Sequence, residues 1–147
     1  MKVTEKQAVV VDESVKNKAE AMLSAALSKK AYNPILLRLA GITPLTDYFL
    51  IVSARSNRQA KAIAEAMLER AHVEGYSPVS SEGMSQAKWI LLDLGDVIVH
   101  VFHEPVREFY DLEGLWRDAP RESFSEAIQK EIDAADSLSP DDDDDDY

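Results

Sequence analysis

The stretch that decides the fold is WILLDLGDVIVHVFHEPVREFYDLEGLW, residues 89–116. Two apolar runs rich in β-branched side chains, 89–94 and 97–103, flank the dipeptide Gly95-Asp96. Such a dipeptide predicts a tight hairpin, because glycine supplies the positive φ of the turn without steric cost. Pro105 suits the first turn of a helix, where its missing N–H is not needed. The stretch therefore predicts two buried strands that run into a short aromatic helix over 106–117.

Upstream of this hairpin, the chain begins with a helical pattern and then two strand patterns. The helix is predicted from Ser14, as its N-cap, to the break at Asn33-Pro34. Strands are predicted at 34–40 and 47–54, joined by residues 41–46, and the second is central because it is apolar on both faces. The buried face of the helix consists of residues spaced by three and four: Val15, Ala19, Met22, Leu23, Ala26 and Leu27.

A second helix is predicted from Asn57, as its cap, to about Glu74, with Gly75 as its stop. A short strand at 76–79 and a polar loop at 80–87 then lead into the hairpin. Helices that alternate with strands and end in a hairpin predict an α/β single domain with a mixed sheet, on which the helices pack. The buried stripe of the second helix is expected to contain Ala60, Ile63, Ala64, Met67, Leu68 and Ala71.

The chain divides into four predicted segments. Residues 1–13 form an N-terminal arm, in which Val9–Val11 is either a short strand or simply part of the arm. Residues 14–120 form the domain, and 121–138 form a helical extension with Phe124, Ile128 and Ile132 at a spacing of four. Residues 139–147 form a disordered acidic tail, because a run of aspartates repels itself and has nothing to bury.

Composition limits the classes of protein that the chain fits. Its 147 residues suit one domain plus tails, and it has no cysteine, which excludes disulfides and thiolate metal sites. The absence of disulfides fits a reducing cytosol. No apolar run approaches the roughly 20 residues that span a bilayer, and the N-terminus is a poor signal peptide. The sequence therefore predicts a cytoplasmic protein without a membrane partner.

The net charge of −11 is dominated by the tail. Asp141–Asp146 supply six of the negative charges, so the rest of the chain carries about −5. This balance argues against a general duplex-DNA binder, whose surface is basic. It is compatible with a basic protein partner, toward which the acidic chain would be steered electrostatically.

Beyond these patterns, the chain resembles the Iojap-like ribosomal silencing factors over about residues 15–117. The resemblance depends on a set of markers in order rather than on any one of them. They are Asp47-Tyr48-Phe49, Ser56-Asn57-Arg58, Glu82-Gly83, Trp89, the run from Asp93 to His100, Arg107, Tyr110, Leu112-Glu113 and Leu115-Trp116. Residues before Ser14 and after Pro120 have no assigned counterpart in the family pattern.

The resemblance implies a function and a fold. Members of this family bind the intersubunit face of the large ribosomal subunit, at the universal large-subunit protein fourteen. They block joining of the small subunit and so lower translation when nutrients are scarce. Their fold is nucleotidyltransferase-like without the catalytic centre, and free members are often homodimers. The chain is therefore expected to be a translational repressor without cofactor, bound metal or catalytic residues.

Eight residues of the decisive stretch are predicted to bind the partner protein, and each also has a structural interpretation. Trp89 is either a core tryptophan or a partner anchor, since tryptophan is favoured at interface hot spots. By strand alternation, Leu91 and Asp93 share its face, whereas Ile90 and Leu92 point the other way. The remaining five are His100, Arg107, Tyr110, Leu112 and Trp116.

The alternatives for these residues come from their positions. His100 is either a satisfied half-buried histidine or a hydrogen-bonding interface residue, and Arg107 is also a candidate ion-pair partner of Glu113. The 106–117 segment is too apolar all round for one buried stripe, which predicts that part of it faces a partner.

A basic cluster and a pair of carboxylates suggest two further sites. Arg55, Arg58 and Lys61 surround a helix start and are either a solvated face or a minor contact to ribosomal RNA. Asp93 and Asp96 allow an alternative function as a residual metal-dependent nucleotidyltransferase. Their spacing of i and i+3 across a turn differs from the i and i+2 spacing that places two carboxylates on one strand face.

Overall fold

The structure is a computed structural model that describes residues 11–76 and 79–137. Its elements begin with helix α1 (Glu13–Leu27), strands β1 (Tyr32–Arg38) and β2 (Tyr48–Ala54), and helix α2 (Asn57–Glu74). Strands β3 (Ser80–Glu82), β4 (Trp89–Asp93) and β5 (Val97–His103) follow. The chain continues through helices α3 (Glu104–Tyr110), α4 (Leu112–Leu115) and α5 (Glu126–Asp136).

The five strands form one mixed sheet in the order β1-β2-β5-β4-β3. Only β2 and β5 pair in parallel, with Leu50 opposite Val99, and every other neighbouring pair is antiparallel. All seven residues of β2 are buried, as expected for a central strand. The predicted α/β fold with a mixed sheet and packed helices is confirmed.

The two faces of the sheet carry separate apolar clusters. The helical face, covered by α1 and α2, includes Leu50, Val99 and Ile90. The aromatic face includes Phe49, Phe102 and Trp89 and lies against α3 and α4. Because strand side chains alternate, Trp89 and Leu91 share the aromatic face while Ile90 and Leu92 lie in the helical core, as predicted.

The hairpin forms where the sequence predicts it. Gly95 has φ +90°, and its N–H donates to Oδ1 of Asp93 at 2.8 Å. The carbonyl of Asp96 accepts from the backbone N–H groups of Asp47 and Tyr48, each at 3.1 Å. These contacts tie the hairpin turn to the start of β2 and so fix the register of the two parallel strands.

Three predicted boundaries are wrong by a few residues for local reasons. The N-cap of α1 is Asp12, which accepts from the N–H of Ser14, and the N-cap of α2 is Ser56 rather than Asn57. The first strand begins at Tyr32, so Pro34 lies inside β1 instead of ending a helix. An edge strand tolerates proline, and the positive φ of Asn33 accompanies a register shift there.

Three further predictions need correction or qualification. The strand placed at 76–79 is instead Ser80–Glu82, within the segment predicted as a polar loop, and residues 77–78 lie outside the described part. The 106–117 helix begins at Glu104 and breaks at Asp111, whose φ of 48° no α-helix adopts. Leu68 is only half-buried on α2, whereas the rest of the predicted stripe is buried.

The segment after Pro120 packs on the domain. The Glu122 N–H donates to the carbonyl of Leu36 at 2.8 Å, which covers part of the β1 edge. Ile128 and Ile132 of α5 are buried in the helical core. The predicted tail at 139–147 and the predicted arm up to residue 10 lie outside the described residues, and the division of the chain into segments stays a prediction.

Candidate functional site

The candidate site lies on the aromatic face, where rings from three strands and two short helices meet. Trp89 lies 4.8 Å from Phe102 and 5.0 Å from Tyr110 between ring centroids. Phe49 contacts His100 at 4.5 Å and Trp116 at 5.7 Å, both edge to face. Aromatic pairs in this geometry contribute packing energy beyond their buried area. The network therefore gives α3 and α4 a rigid base.

A hydrogen bond joins Trp89 to His100 beneath this surface. The indole Nε1–H donates to Nδ1 of His100 at 3.0 Å. Because indole only donates, Nδ1 must be unprotonated and the histidine hydrogen sits on Nε2. Nε2 is buried and has no hydrogen-bond partner within the described residues. Burial lowers the pKa of His100 to about 4, so the ring is neutral at pH 7.

Arg107 fastens α3 to the sheet. Its Nη1 donates to the carbonyl of Asn33 and to Oγ of Ser53, both at 2.7 Å. Its Nη2 lies 2.8 Å from Oε2 of Glu113, and Nε donates to the same oxygen at 3.0 Å. The predicted Arg107–Glu113 ion pair is confirmed. One guanidinium thus links β1, β2, α3 and α4, which the planar fork of arginine allows and the single ammonium of lysine does not.

The most exposed large apolar residues on this side form what we call the α3–α4 surface: Phe109, Tyr110 and Leu115. Their side chains are 80%, 54% and 77% exposed. Phe109 stacks edge to face on Tyr110 at 5.1 Å, and Tyr110 in turn contacts Trp89. Phe109 and Leu115 are absent from the predicted partner-binding set, although the all-round apolar character of the segment predicted that some of it stays uncovered.

The predicted partner-binding residues fall into two groups. Trp89, Leu91, Asp93 and Trp116 are half-buried, and Tyr110 is exposed. His100, Arg107 and Leu112 are only 3%, 6% and 8% exposed, so they present little surface of their own in the monomer. The reason is positional, since His100 lies in central strand β5 and Arg107 and Leu112 point from their helices into the sheet.

The predicted basic cluster lies where strand β2 ends and helix α2 begins. Arg55, Arg58 and Lys61 are exposed at the start of α2, and the Arg55 guanidinium lies 4.7 Å above the ring of Tyr32. The carbonyl of Arg55 lies 3.1 Å from Nε2 of His103, the last residue before α3. The helix that carries the basic cluster and the helix that carries the aromatic residues therefore begin next to each other.

The two aspartates of the alternative function have structural partners. Asp93 Oδ1 accepts from Gly95, and Asp96 Oδ1 lies 2.9 Å from Nζ of Lys18 on α1. Across residues 11–76 and 79–137, no three histidine or acidic side chains gather as metal ligands. In the same ranges, none of the helices has the length and apolar character that crossing a bilayer requires.

Fold and site together define a small mixed-sheet α/β protein whose most distinctive feature is an exposed aromatic surface on short helices. Comparison with known proteins gives this class a family. Residues 12–146 match the family described as ribosomal silencing factor during starvation. The chain belongs to this family, whose members are ribosome-associated factors that silence translation, and the resemblance inferred from the sequence is confirmed.

Individual members of the family are similar to this chain over most of their own length. The ribosomal silencing factor RsfS of Halalkalibacterium halodurans is 44% identical over 98 residues, which are 67% of this chain and 84% of that protein. RsfS of Bacillus subtilis is 43% identical over 97 residues, 66% and 82% of the two chains. A crystal structure from Chromobacterium violaceum superposes with a TM-score of 0.68 at 32% identity, covering 76% of this chain and 92% of that one.

Proposed function

We propose that this protein represses translation in the cytoplasm by binding the large ribosomal subunit at the universal large-subunit protein fourteen, and so excludes the small subunit sterically. The observation that carries the proposal is the α3–α4 surface. Phe109 and Leu115 are 80% and 77% exposed, so these neighbouring short helices leave apolar side chains in contact with water. A partner that covers them would recover this apolar area.

The charge around this surface favours a basic partner. Between residues 104 and 118 the chain carries five acidic and two basic side chains, and one of the two, Arg107, is buried against Glu113. An aromatic centre with a charged rim is the usual composition of a protein interface. Acidic rim charges increase the rate of encounter with a basic surface more than they increase final affinity.

The mechanism requires position rather than chemistry. A stable interface buries on the order of 1,600 Å² in total, or about 800 Å² on each partner. The described part of the chain has 8175 Å² of accessible surface, so such an interface covers only a fraction of it. The rest of the domain would occupy the space through which the small subunit approaches.

Two lesser features belong to the same proposal. Arg55, Arg58 and Lys61 would make a minor contact to ribosomal RNA. If they do, neutralising Arg58 and Lys61 will make binding to the large subunit less dependent on salt concentration.

The free protein would form a homodimer, and sedimentation at several concentrations tests this. If dimer and ribosome use overlapping surfaces, dimer formation and ribosome binding will compete.

The decisive experiment separates binding from exclusion. Tagged full-length protein is incubated with purified large and small subunits separately, and retained subunits are measured. The proposal predicts retention of the large subunit alone. The protein is then added to both subunits before sedimentation on a sucrose gradient, where it should reduce the joined ribosome peak. Large-subunit binding with undiminished joining would refute steric exclusion, and absence of large-subunit binding would refute the partner.

A further inference from the structure

A cleft lies between α3 and the start of β1, and we call it the α3–β1 cleft. One wall is formed by residues 33–35 of β1, and the other includes Glu104 and Glu108 of α3. Its volume is about 420 Å³, within the range of pockets that hold a small molecule. The cleft is separate from the exposed apolar side chains that carry the proposed function.

Helical spacing places this cleft beside the α3–α4 surface. Glu104, Arg107 and Glu108 are spaced by three and four residues and so share one face of α3. Phe109 follows Glu108 directly and lies on a neighbouring face, where it is 80% exposed. A helix with its side chains is only about 10–12 Å across. One protein surface can therefore contact Phe109 and the mouth of the cleft together.

The charges that line the cleft do not balance. They are four carboxylates and one guanidinium, contributed by Glu104, Glu108, Asp111, Glu113 and Arg107. Arg107 is only 6% exposed, and its Nη2 lies 2.8 Å from Oε2 of Glu113, so this charge is already matched. Asp111 Oδ1 accepts from the N–H of Gly114 at 3.2 Å, which is a neutral donor. The cleft therefore has an excess of negative charge.

Glu104 and Glu108 are the two carboxylates of the cleft without a partner. Within residues 11–76 and 79–137, their side chains make no hydrogen bond and no ion pair. Oε1 of Glu104 is also buried, where an unpaired acceptor costs free energy. Because the two residues are four apart on one helix, their charges repel each other. A cation bound between them would remove both costs.

We propose that the α3–β1 cleft binds a basic side chain, with arginine preferred, of the protein that covers the α3–α4 surface. A planar guanidinium donates two parallel hydrogen bonds to one carboxylate and has further N–H groups for a second, whereas an ammonium acts as a point charge. A metal ion is disfavoured, since the described ranges contain no group of three histidine or acidic ligands. The identity of the partner rests on the proposed function, but the preference of the cleft for an organic cation does not.

Nuclear magnetic resonance of the full chain tests the cleft without the ribosome. Nα-acetyl-arginine methylamide is titrated into isotope-labelled protein, and the corresponding citrulline compound, which is uncharged and similar in shape, is the control. The arginine compound should shift the amides of Asn33, Glu104 and Glu108 at least about threefold more than the citrulline compound does, because only the guanidinium forms charge-assisted hydrogen bonds. Equal responses to the two compounds, or equal shifts at Glu65 and Glu69 on α2, would overturn the proposal.

Paired substitutions test the cleft on the ribosome. Glu104→Gln with Glu108→Gln removes both unpartnered charges, and Glu65→Gln with Glu69→Gln is the matched control, since these exposed residues have the same spacing on α2. Loss of negative charge alone should leave binding to an RNA-rich particle unchanged or make it tighter. We expect the cleft pair instead to weaken binding to the large subunit at least about threefold, and the control pair not to weaken it. Glu108 is exposed, so Glu108→Gln alone should fold normally and weaken binding in the same direction.

Failure of the cleft and failure of the proposed function give different results. If the parent protein does not bind the large subunit, the proposed function is wrong, and the arginine titration still decides whether the cleft takes a cation. If the parent binds and the cleft variants bind as tightly or more tightly, the cleft proposal is overturned and the proposed function stands.

Discussion

The indole of Trp89 donates a hydrogen bond to Nδ1 of His100, diagonally across the β4–β5 ladder, at 3.0 Å. The bond connects a half-buried ring of the candidate site to a histidine in the centre of the sheet. It also fixes the neutral tautomer of that histidine.

Stability should fall as the pH drops from about 6.5 to about 4. Burial lowers the pKa of His100 to about 4, so in this window the unfolded chain binds a proton that the folded chain does not. The contribution is complete above the unfolded pKa and is lost as the pH falls, by roughly 3 kcal/mol at most. Urea unfolding at several pH values measures it. His100→Gln should have a flatter profile, and equal slopes for the two proteins would refute this assignment.

Trp89→Phe should destabilise the protein by about 1–2 kcal/mol more than Trp116→Phe does. Both changes remove part of an indole from the aromatic face. Only the first leaves a buried acceptor, Nδ1 of His100, without its donor, because Trp116 makes no hydrogen bond through its side chain within the described residues. Chemical denaturation of the two variants provides the comparison, and equal losses would show that the hydrogen bond has no net value.

Arg107→Lys should cost about 2–4 kcal/mol of the free energy of unfolding, since one ammonium cannot reach Asn33, Ser53 and Glu113 together. Arg117→Lys is the matched control. The Arg117 side chain is exposed and donates to the carbonyl of Gly114 at 3.1 Å, so its replacement should cost less than about 0.5 kcal/mol. A tolerated Arg107→Lys would contradict the proposed fastening of α3.

Phe109→Ser and Leu115→Ser should leave stability within about 0.5 kcal/mol of the parent, because both side chains are largely exposed. Each should weaken binding to the large ribosomal subunit at least about tenfold, as expected for residues at the centre of an interface. Val73→Ser removes an exposed apolar side chain from α2 and is the control. Unchanged binding by both variants would remove the α3–α4 surface from the proposal.

Gly83→Ala should destabilise the protein by more than about 2 kcal/mol, whereas Gly75→Ala should cost about 1 kcal/mol. Both glycines have positive φ, +87° and +80°. A Cβ at Gly83 would also clash with the backbone carbonyl oxygen of Trp89, while one at Gly75 meets nothing within 4 Å. Thermal unfolding of the two variants separates conformational strain from steric overlap, and equal losses would argue against the clash.

Much of the fold was predictable because local patterns and tertiary packing agree. Gly95 forces the hairpin turn, the apolar periods of α1 and α2 match their buried faces, and Gly75 ends α2 in a left-handed conformation. The errors occur where local signals compete. A proline normally ends a helix or strand, but Pro34 lies in an edge strand, where its missing N–H breaks no hydrogen bond between strands. The 80–82 segment is polar, although it forms a strand, because β3 is an exposed edge of the sheet.

The candidate site was predicted in outline but not in detail. The aromatic character of residues 106–117 indicates an uncovered surface, yet it does not say which side chains face outward. Asp111 breaks the helix in two, and the break changes the direction of every residue after it. Within the second helix, α4, Leu112 is 8% exposed and Leu115 is 77% exposed, a difference that their spacing of three residues does not predict.

The sequence by itself determined the family, the hairpin, the mixed sheet and the presence of an excess of aromatic groups in one segment, because these depend on residue order and short-range periodicity. Only the tertiary structure decided which of those groups are covered. Burial of His100, the reach of Arg107 to Asn33 and Ser53, and the exposure of Phe109 depend on contacts between segments distant in sequence. Such contacts follow from how the strands and helices pack, which no local pattern records.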